Sequence, residues 1–583
     1  MTAVPEYTYG NSPVWPTTYR HQAYDVMVFT ENGHYYAMTD TGNIFCIDSP
    51  TACLQEAVNY IAQFGGGRIY VKRGTYYPQS STNIPDGINL IIEGEGANTI
   101  FRYTQPFYLF YHTPSNPTWT STIVFRNFKV DRTGSGTANT DVLPVNYARY
   151  VKYEGLILED DFRMQSSNDA FIVANNNIVA IAENNYVTNK SYGIWVMGYL
   201  AVASKNYVKN TAYVGIAANG FIPNFQVPPG FPDYGIGIVD SNTCINCGQG
   251  DEAIAVDLGT STMYPSTGII RNNKIITDSN TVMSTALAVI GASKAIIEGN
   301  EIIGNVSNNA IVYAFYGDSV VRDNIINVNG QNIPSGGGQL ITVYGNNIVF
   351  EGNRITINYN QNIYRAIQLA GRSIFKNNTI NINASSGYSV TIGVGFDFSQ
   401  NNPYALISGN RIVGAIGNAI GLAPLYNNDD HIISITDNTL TSSLSTSSYA
   451  LFFYFGSYAP TIYFKYFRNT IIPPMTEDSN MYFGSSGVTP TFIIDWDTPV
   501  ITYWGSAAYY YKRRNTGTAT INSGSTSVTV NHGLICTPSK VLITPLAQPS
   551  GNLWVSNITS TSFTINISSA PSANLSVAWS AEC

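Results

Sequence analysis

The sequence predicts an all-β chain: a right-handed parallel β-helix with an N-terminal capping helix and a small C-terminal antiparallel β-sandwich. Three features carry this. Asparagine recurs beside short β-branched runs with a period in the twenties, a short helix pattern ending in glycine precedes the first run, and the composition breaks near residue 515 into alternating strands.

The repeat is the strongest of the three. Asn273, Asn300, Asn324, Asn353, Asn378, Asn410, Asn438 and Asn469 follow one another at intervals in the twenties to low thirties. Strand-length runs at such a period indicate a solenoid, whose coils bury their apolar faces only by stacking on neighbours. Leucine-rich repeats would show a leucine ladder, and propeller blades would be longer, at about 40 residues or more. An asparagine at a bend can bond backbone and the same residue in adjacent coils, so these positions are expected to form a ladder.

Residues 1–48 are aromatic and proline-containing without a period, and read as an arm or attachment segment. Ser49-Pro50 marks a helix start, with serine as cap and proline at the first helical position. Leu54, Val58 and Ile61 follow at helical spacing before Gly65-Gly66-Gly67. This helix is placed to cover the open end of a solenoid running from about residue 64, so residues 49–475 form one unit. Residues 476–515 read as closing or oligomerising strands and linker. Residues 516–583 alternate in TSVTVNHGL, KVLITPL, NLWVSNITSTSFTINIS and LSVAWSAEC, as a compact antiparallel module does. Trp554 and Trp579 are expected in its core, and His532 at a surface turn.

Composition narrows the function. Apolar residues make up 44% of the 583 and charged residues only 11%, with a net charge of -8. No basic stripe exists to bind phosphate, so nucleic acid is not an expected partner. Lys512-Arg513-Arg514 reads as a solvated connector. Apolar stretches such as Ala286–Ile290 are far shorter than the ~18–20 residues a membrane span needs. The start MTAVPEYTYG lacks a basic n-region and an apolar h-region, so no conventional signal peptide is expected. No cofactor is implied. Cys244-x-x-Cys247 has no second ligand pair, which favours buried or paired thiols over a metal site. Cys46 with Cys53, and Cys536 with Cys583, could each staple one end of the fold.

The segment GGGRIYVKRGTYYPQSSTNIPDGINLIIEGEGANTIF resembles the opening coils of the pectin-lyase-like superfamily, including its phage tailspike-type members. The C-terminal segment 516–583 resembles the small β-sandwich modules that end many viral tail and fibre proteins, some of which bind sugars. The resemblance implies a virion spike or tail fibre that attaches to host-surface polysaccharide or glycoprotein glycans. It implies a homotrimer, other virion structural proteins as partners, and a virion-surface or extracellular location. The alternatives are a polysaccharide hydrolase or lyase, free or virion-borne, and a cellular surface adhesin.

Glycosidic hydrolysis uses one carboxylic acid to protonate the leaving oxygen and a second carboxylate as base or nucleophile. GDEAIAV resembles the GDDxIAI segment of the polygalacturonase-like glycosidases, and Asn168-Asp169 resembles their N-T-D segment. By that match the candidates are Asp169, Asp251 and Glu252. The two segments stand some three coils apart, whereas the family has them on adjacent coils. That is about 14 Å at ~4.8 Å per coil, beyond the ~9.5 Å such pairs span. No Gly-His-Gly or Arg-x-Lys follows. If both lay on a strand, Asp251 and Glu252 would face opposite sides. Lys190, Lys205 and Lys209 are nearby in sequence as bases for a lyase, without a clear constellation.

Aromatic residues offer a second kind of site. Tyr192, Trp195, Tyr199, Tyr207 and Tyr213 lie within two coils, and Tyr313, Phe315, Tyr316 and Tyr344 follow. Sugar rings lie on aromatic faces while polar partners fix their orientation. Tyr192, Trp195, Tyr199, Tyr213 and Asp257 are therefore carbohydrate-binding candidates, with a subunit interface as the alternative use of these rings.

Overall fold

The computed structural model describes residues 24–134, 141–161, 170–220, 235–258, 266–331, 339–385, 388–398, 404–423, 431–444, 448–455, 461–472, 475–483, 491–495, 509–512, 514–534 and 536–583. The chain is a right-handed parallel β-solenoid followed by a small antiparallel sandwich. The right-handed crossover is the one that strand twist favours.

Residues within the expected arm begin the fold. Val26–Glu31, His34–Thr39 and Ile44–Ile47 form an antiparallel sheet, and Val26–Val28 pair in parallel with Ile69–Val71. The Cys46–Cys53 bridge fastens the last of these strands to the start of the helix. The helix spans Leu54–Ala62, starting later than Pro50. Ser49 caps a preceding turn instead, its Oγ accepting the Cys53 N–H at 2.9 Å. Thr51 Oγ1 accepts the Gln55 N–H, so the first helical donors are still satisfied. Leu54, Ala57, Val58 and Ile61 are buried against the first coils, as a lid requires.

Three parallel sheets then stack coil upon coil. The first has Ile172, Ile194, Ile216, Ile254, Leu287, Val312, Ile341 and Ile367 in one inward file. The second has Ala182, Ala203, Val239, Ile270, Ile297, Val321, Phe350 and Phe375 inward. The third has Val187, Val208, Cys244, Ile275, Ile302, Ile326 and Ile355 inward. All belong to one continuous core. In-register pairing continues beyond residue 475, through Met475–Phe483, Thr491–Asp495 and Tyr509–Lys512.

An asparagine ladder runs along the bend between the second and third sheets. From Asn185 through Asn206 and Asn242 to Asn273, Asn300, Asn324, Asn353, Asn378, Asn410, Asn438 and Asn469, each backbone N–H donates to the next Oδ1 at 2.8–3.1 Å. Most side-chain amides donate back to a carbonyl of the preceding coil, as Asn324 does to Ile297 at 3.0 Å. Buried amide groups tolerate such a site only when bonded throughout.

The C-terminal module packs sheet Arg514–Ile521, Leu575–Glu582 and Lys540–Pro545 with sheet Ser527–Asn531, Ser562–Ile567 and Leu553–Ser556. Cys536 is bonded to Cys583. Trp579 is in the core, but Trp554 is 47% exposed, correcting the expectation that both are buried. In its short strand Leu553 and Val555 take the inward positions, which turns Trp554 outward. His532 is buried rather than at a surface turn, its ring nitrogens facing Thr559 O and the Leu534 N–H.

Candidate functional site

The outer surface of the first sheet holds a small apolar cluster separate from the core. Val214, Ala217 and Ala255 are its buried members, and Tyr192 and Trp195 pack over them. The register explains the cluster. Trp195, Ala217, Ala255, Ala288 and Tyr313 occupy one outward file on successive coils, so small residues form a floor between two aromatic rungs. Tyr192 and Trp195 meet edge to face at 5.8 Å. Tyr213 stacks on Tyr192 at 5.6 Å with planes 10° apart. All three rings are partly exposed and laterally fixed. Two coils on from Ala255, Tyr313 stacks on Phe315 at 4.0 Å, and Phe315 meets Tyr344 at 4.4 Å.

Carboxylates flank this floor. Glu252 opens the strand Glu252–Asp257 and pairs with Thr285 of the next coil, while Asp257 closes it. The Asp257 backbone N–H donates to Asn219 Oδ1 at 2.9 Å. Asp251 lies just before the strand, so the opposite-face geometry does not apply, and Glu252 is hydrogen-bonded to Asp251. Burial pushes the Glu252 carboxyl up to about 8, reinforced by that hydrogen bond and by the charges of Asp251 and Asp257. At neutral pH Glu252 is therefore mostly a protonated acid, able to donate a proton or a hydrogen bond.

The loop before Glu252 is held from both sides. The Gly250 N–H donates to Ala212 O at 2.7 Å, and the Ser284 and Thr285 N–H groups donate to Gly248 O and Asp251 O. Gly248 has φ +68°, and a Cβ there would strike the Ala253 backbone at 2.3 Å, so the turn requires glycine. Cys247, bonded to Cys244, is buried in the core directly below.

Of the sequence candidates, Tyr192, Trp195, Tyr213, Asp251, Glu252 and Asp257 fall on three successive coils of the first sheet: the strands Tyr192–Ser204 and Glu252–Asp257 and, between them, the turn before Ile216–Asn219. Tyr199 does not join them: it lies at the corner between Met197 of the first sheet and Leu200 of the second. Tyr207 is on the third sheet, stacked on Tyr186. Asp169 lies outside the described residues. Nearby charges are committed elsewhere: Lys190 Nζ is buried 3.1 Å from Asp160, Glu159 pairs with Lys129, and Lys205 with Glu183. Among the described residues no three His, Cys, Asp or Glu side chains converge as a metal site. No helix among them is long and apolar enough to cross a membrane.

Sequence reading missed Asn219, Thr285 and the alanine floor. The signal was there as a spaced repeat: Tyr192-x-x-Trp195, Val214-x-x-Ala217, Glu252-x-x-Ala255 and Thr285-x-x-Ala288. It also missed a polar cluster further along the same sheet. Arg365 Nη1 donates to both Asp397 oxygens at 2.9 and 2.8 Å, and Gln368 Nε2 donates to the same carboxylate.

No family model matches the chain, and no curated protein matches its sequence. Among solved structures it is similar to tailspike gp49 of Pseudomonas phage LKA1, at 11% identity over 91% of this chain and 92% of that one, TM-score 0.38. It is similar to tailspike gp61 of Pseudomonas phage phi297, at 12% identity over 91% of each chain, TM-score 0.33. A tailspike mutant of E. coli bacteriophage HK620 gives 11% identity over 94% and 92%, TM-score 0.35.

Proposed function

We propose that the chain is a virion spike or tail-fibre protein that binds host-surface glycans on the first sheet, beside Tyr192, Trp195 and Tyr213. One observation carries the reading: three partly exposed rings are fixed on an outer apolar cluster of their own, next to acids that can orient hydroxyl groups. Aromatic faces stack on sugar rings, and rings already held in place lose little freedom on binding. A homotrimer, with other virion proteins at its base, would multiply weak single contacts through effective concentration. The test is a glycan array probed with the purified oligomer and with Trp195→Ala. Binding to a defined glycan set, weakened at least tenfold in the variant, supports the reading. Equal binding by both proteins removes it.

A second reading is favoured by Glu252 itself. A carboxylic acid kept protonated near neutrality and hydrogen-bonded to Asp251 fits a polysaccharide hydrolase in which Glu252 protonates the leaving oxygen. Reducing ends released from a bound polysaccharide by wild type but not by Glu252→Gln would support it. Binding without release leaves attachment alone.

A further inference from the structure

The second sheet carries an outward file of a different kind. Ile181, Val202, Ile238, Ile269, Ile296, Val320, Val349, Ile374 and Leu406 follow one another in register on successive coils. Each stands at the fourth position before a ladder asparagine, from Asn185 to Asn410, which holds every one on the same line. Lys152 precedes the file at one end, and Ser434 and Lys465 follow at the other. The aliphatic members are about as open as Lys152 and Ser434, so nothing in the described chain covers them more than it covers those polar ends.

The third sheet shows that this is not a general property of the coils. Its corresponding outward file reads Thr188, Lys209, Ile245, Ile276, Ile303, Asn327, Thr356, Asn381 and Val413, an aliphatic run of only three coils set between polar residues. A straight, unbroken run of aliphatic side chains on one outer face is larger than scattered surface apolarity.

We propose that this stripe is the face on which parallel copies of the chain pack along a common axis. Length and width fit. Eight coil spacings of ~4.8 Å give about 38 Å, and with flanking files the strip is roughly 15–20 Å wide. That offers roughly 600–800 Å² per copy, close to the ~800 Å² per partner of a stable interface. Charge fits as well. The flanking file two positions on is charged, but Asp240–Arg271, Glu298–Arg322 and Glu351–Lys376 pair within the chain, so this edge brings no net charge to the contact, while Lys294, Asp318 and Arg372 make the opposite edge polar over the later coils. On the other flank Val179, Leu200 and Ile236 widen the apolar surface over the first coils. Towards the far end a cavity of about 380 Å³, lined by Asn347, Val349, Arg372, Ile374 and Tyr404, gives the face relief for a partner side chain. Because the stripe runs parallel to the stacking direction, rung meets equivalent rung when copies align in the same sense. Such a contact buries the whole length in two or three copies.

The inference deepens the homotrimer reading by naming its face, and it does not depend on the glycan site. The test measures solution mass for the full chain, for Ile296→Asp/Val349→Asp, and for Thr356→Asp on the third sheet. Wild type and Thr356→Asp are expected at a multiple of the 63.6 kDa chain mass, and the double variant as a folded monomer by circular dichroism. A wild-type monomer at micromolar concentration overturns assembly itself. An assembled double variant overturns the face while leaving assembly standing. Should the double variant misfold, Val202→Cys decides: parallel copies bring two such residues within reach of a short bifunctional thiol cross-linker. Absence of cross-linked dimer in an assembled Val202→Cys protein contradicts the parallel arrangement.

Discussion

Tyr213 lies flat on Tyr192, ring centroids 5.6 Å apart and planes 10° from parallel, although the two belong to successive coils. The stack exists because one coil returns the chain to the same corner, and Gly250 of the next coil comes so near the Tyr213 ring that a Cβ there would lie 3.1 Å from it. Trp195 closes the group edge-on. The rings rest on Val214, Ala217 and Ala255 rather than on the core, so their loss should damage recognition more than folding.

Trp195→Ala should therefore cost only about 1–2 kcal/mol of stability, below the ~3–5 kcal/mol of a core tryptophan. Denaturant unfolding checks this. A cost at the core value would mean that the outer cluster is part of the structural interior.

Stability should depend on pH through Glu252. Its folded-state pKa is raised from 4.5 to about 8, so between those values the native protein holds a proton that the unfolded chain has released. Stability therefore falls as pH rises through this window, by at most about 1.4 kcal/mol per pH unit, and levels off above it. Glu252→Gln should flatten the profile and be more stable than wild type at pH 8. Thermal melts of both proteins from pH 5 to 9 read the difference; parallel profiles would count against the raised pKa.

Asn324→Ala should be strongly destabilising. It strips the acceptor from the Asn300 backbone N–H and side chain, and the donor from Ile297 O. At ~1–3 kcal/mol for each buried group left unpaired, the loss should be on the order of 3 kcal/mol or more. Asn327→Ala, at an exposed outer position on the following strand, should change the midpoint little in the same denaturation experiment.

Cys536→Ser/Cys583→Ser should weaken the C-terminal module and spare the solenoid. The bridge joins positions 47 apart in sequence, for which loop-closure entropy predicts up to about 4 kcal/mol. Limited proteolysis should cleave the variant within residues 516–583 while the β-helix survives. Equal resistance of the two proteins would show that the sandwich core suffices.

The fold was legible because its constraints are periodic. A buried asparagine must meet its neighbour in register, so Asn273 to Asn438 mark coil length directly in the sequence. The aliphatic stripe was encoded equally plainly, at a fixed offset before each ladder asparagine, and emerges once the ladder is used as a ruler. The site was less legible because it depends on where single strands begin. Starting at Glu252 rather than Asp251 brings two acids together that alternation alone would separate. His532, just past the strand Ser527–Asn531, keeps the inward parity of Val528 and Val530, which its place at a turn concealed. Trp554 failed for a reason related to strand parity. In strands this short, one step of parity decides which side is core, and composition cannot fix that step.

The most direct measurement is calorimetric titration of the assembled protein with an oligosaccharide from the glycan class that the array identifies. Wild type, Trp195→Ala and Trp554→Ala would be compared, the last removing an exposed tryptophan of the C-terminal module. Binding weakened at least tenfold by Trp195→Ala and unchanged by Trp554→Ala is the expected result. The reverse pattern would contradict a glycan site on the first sheet and move recognition to the terminal module.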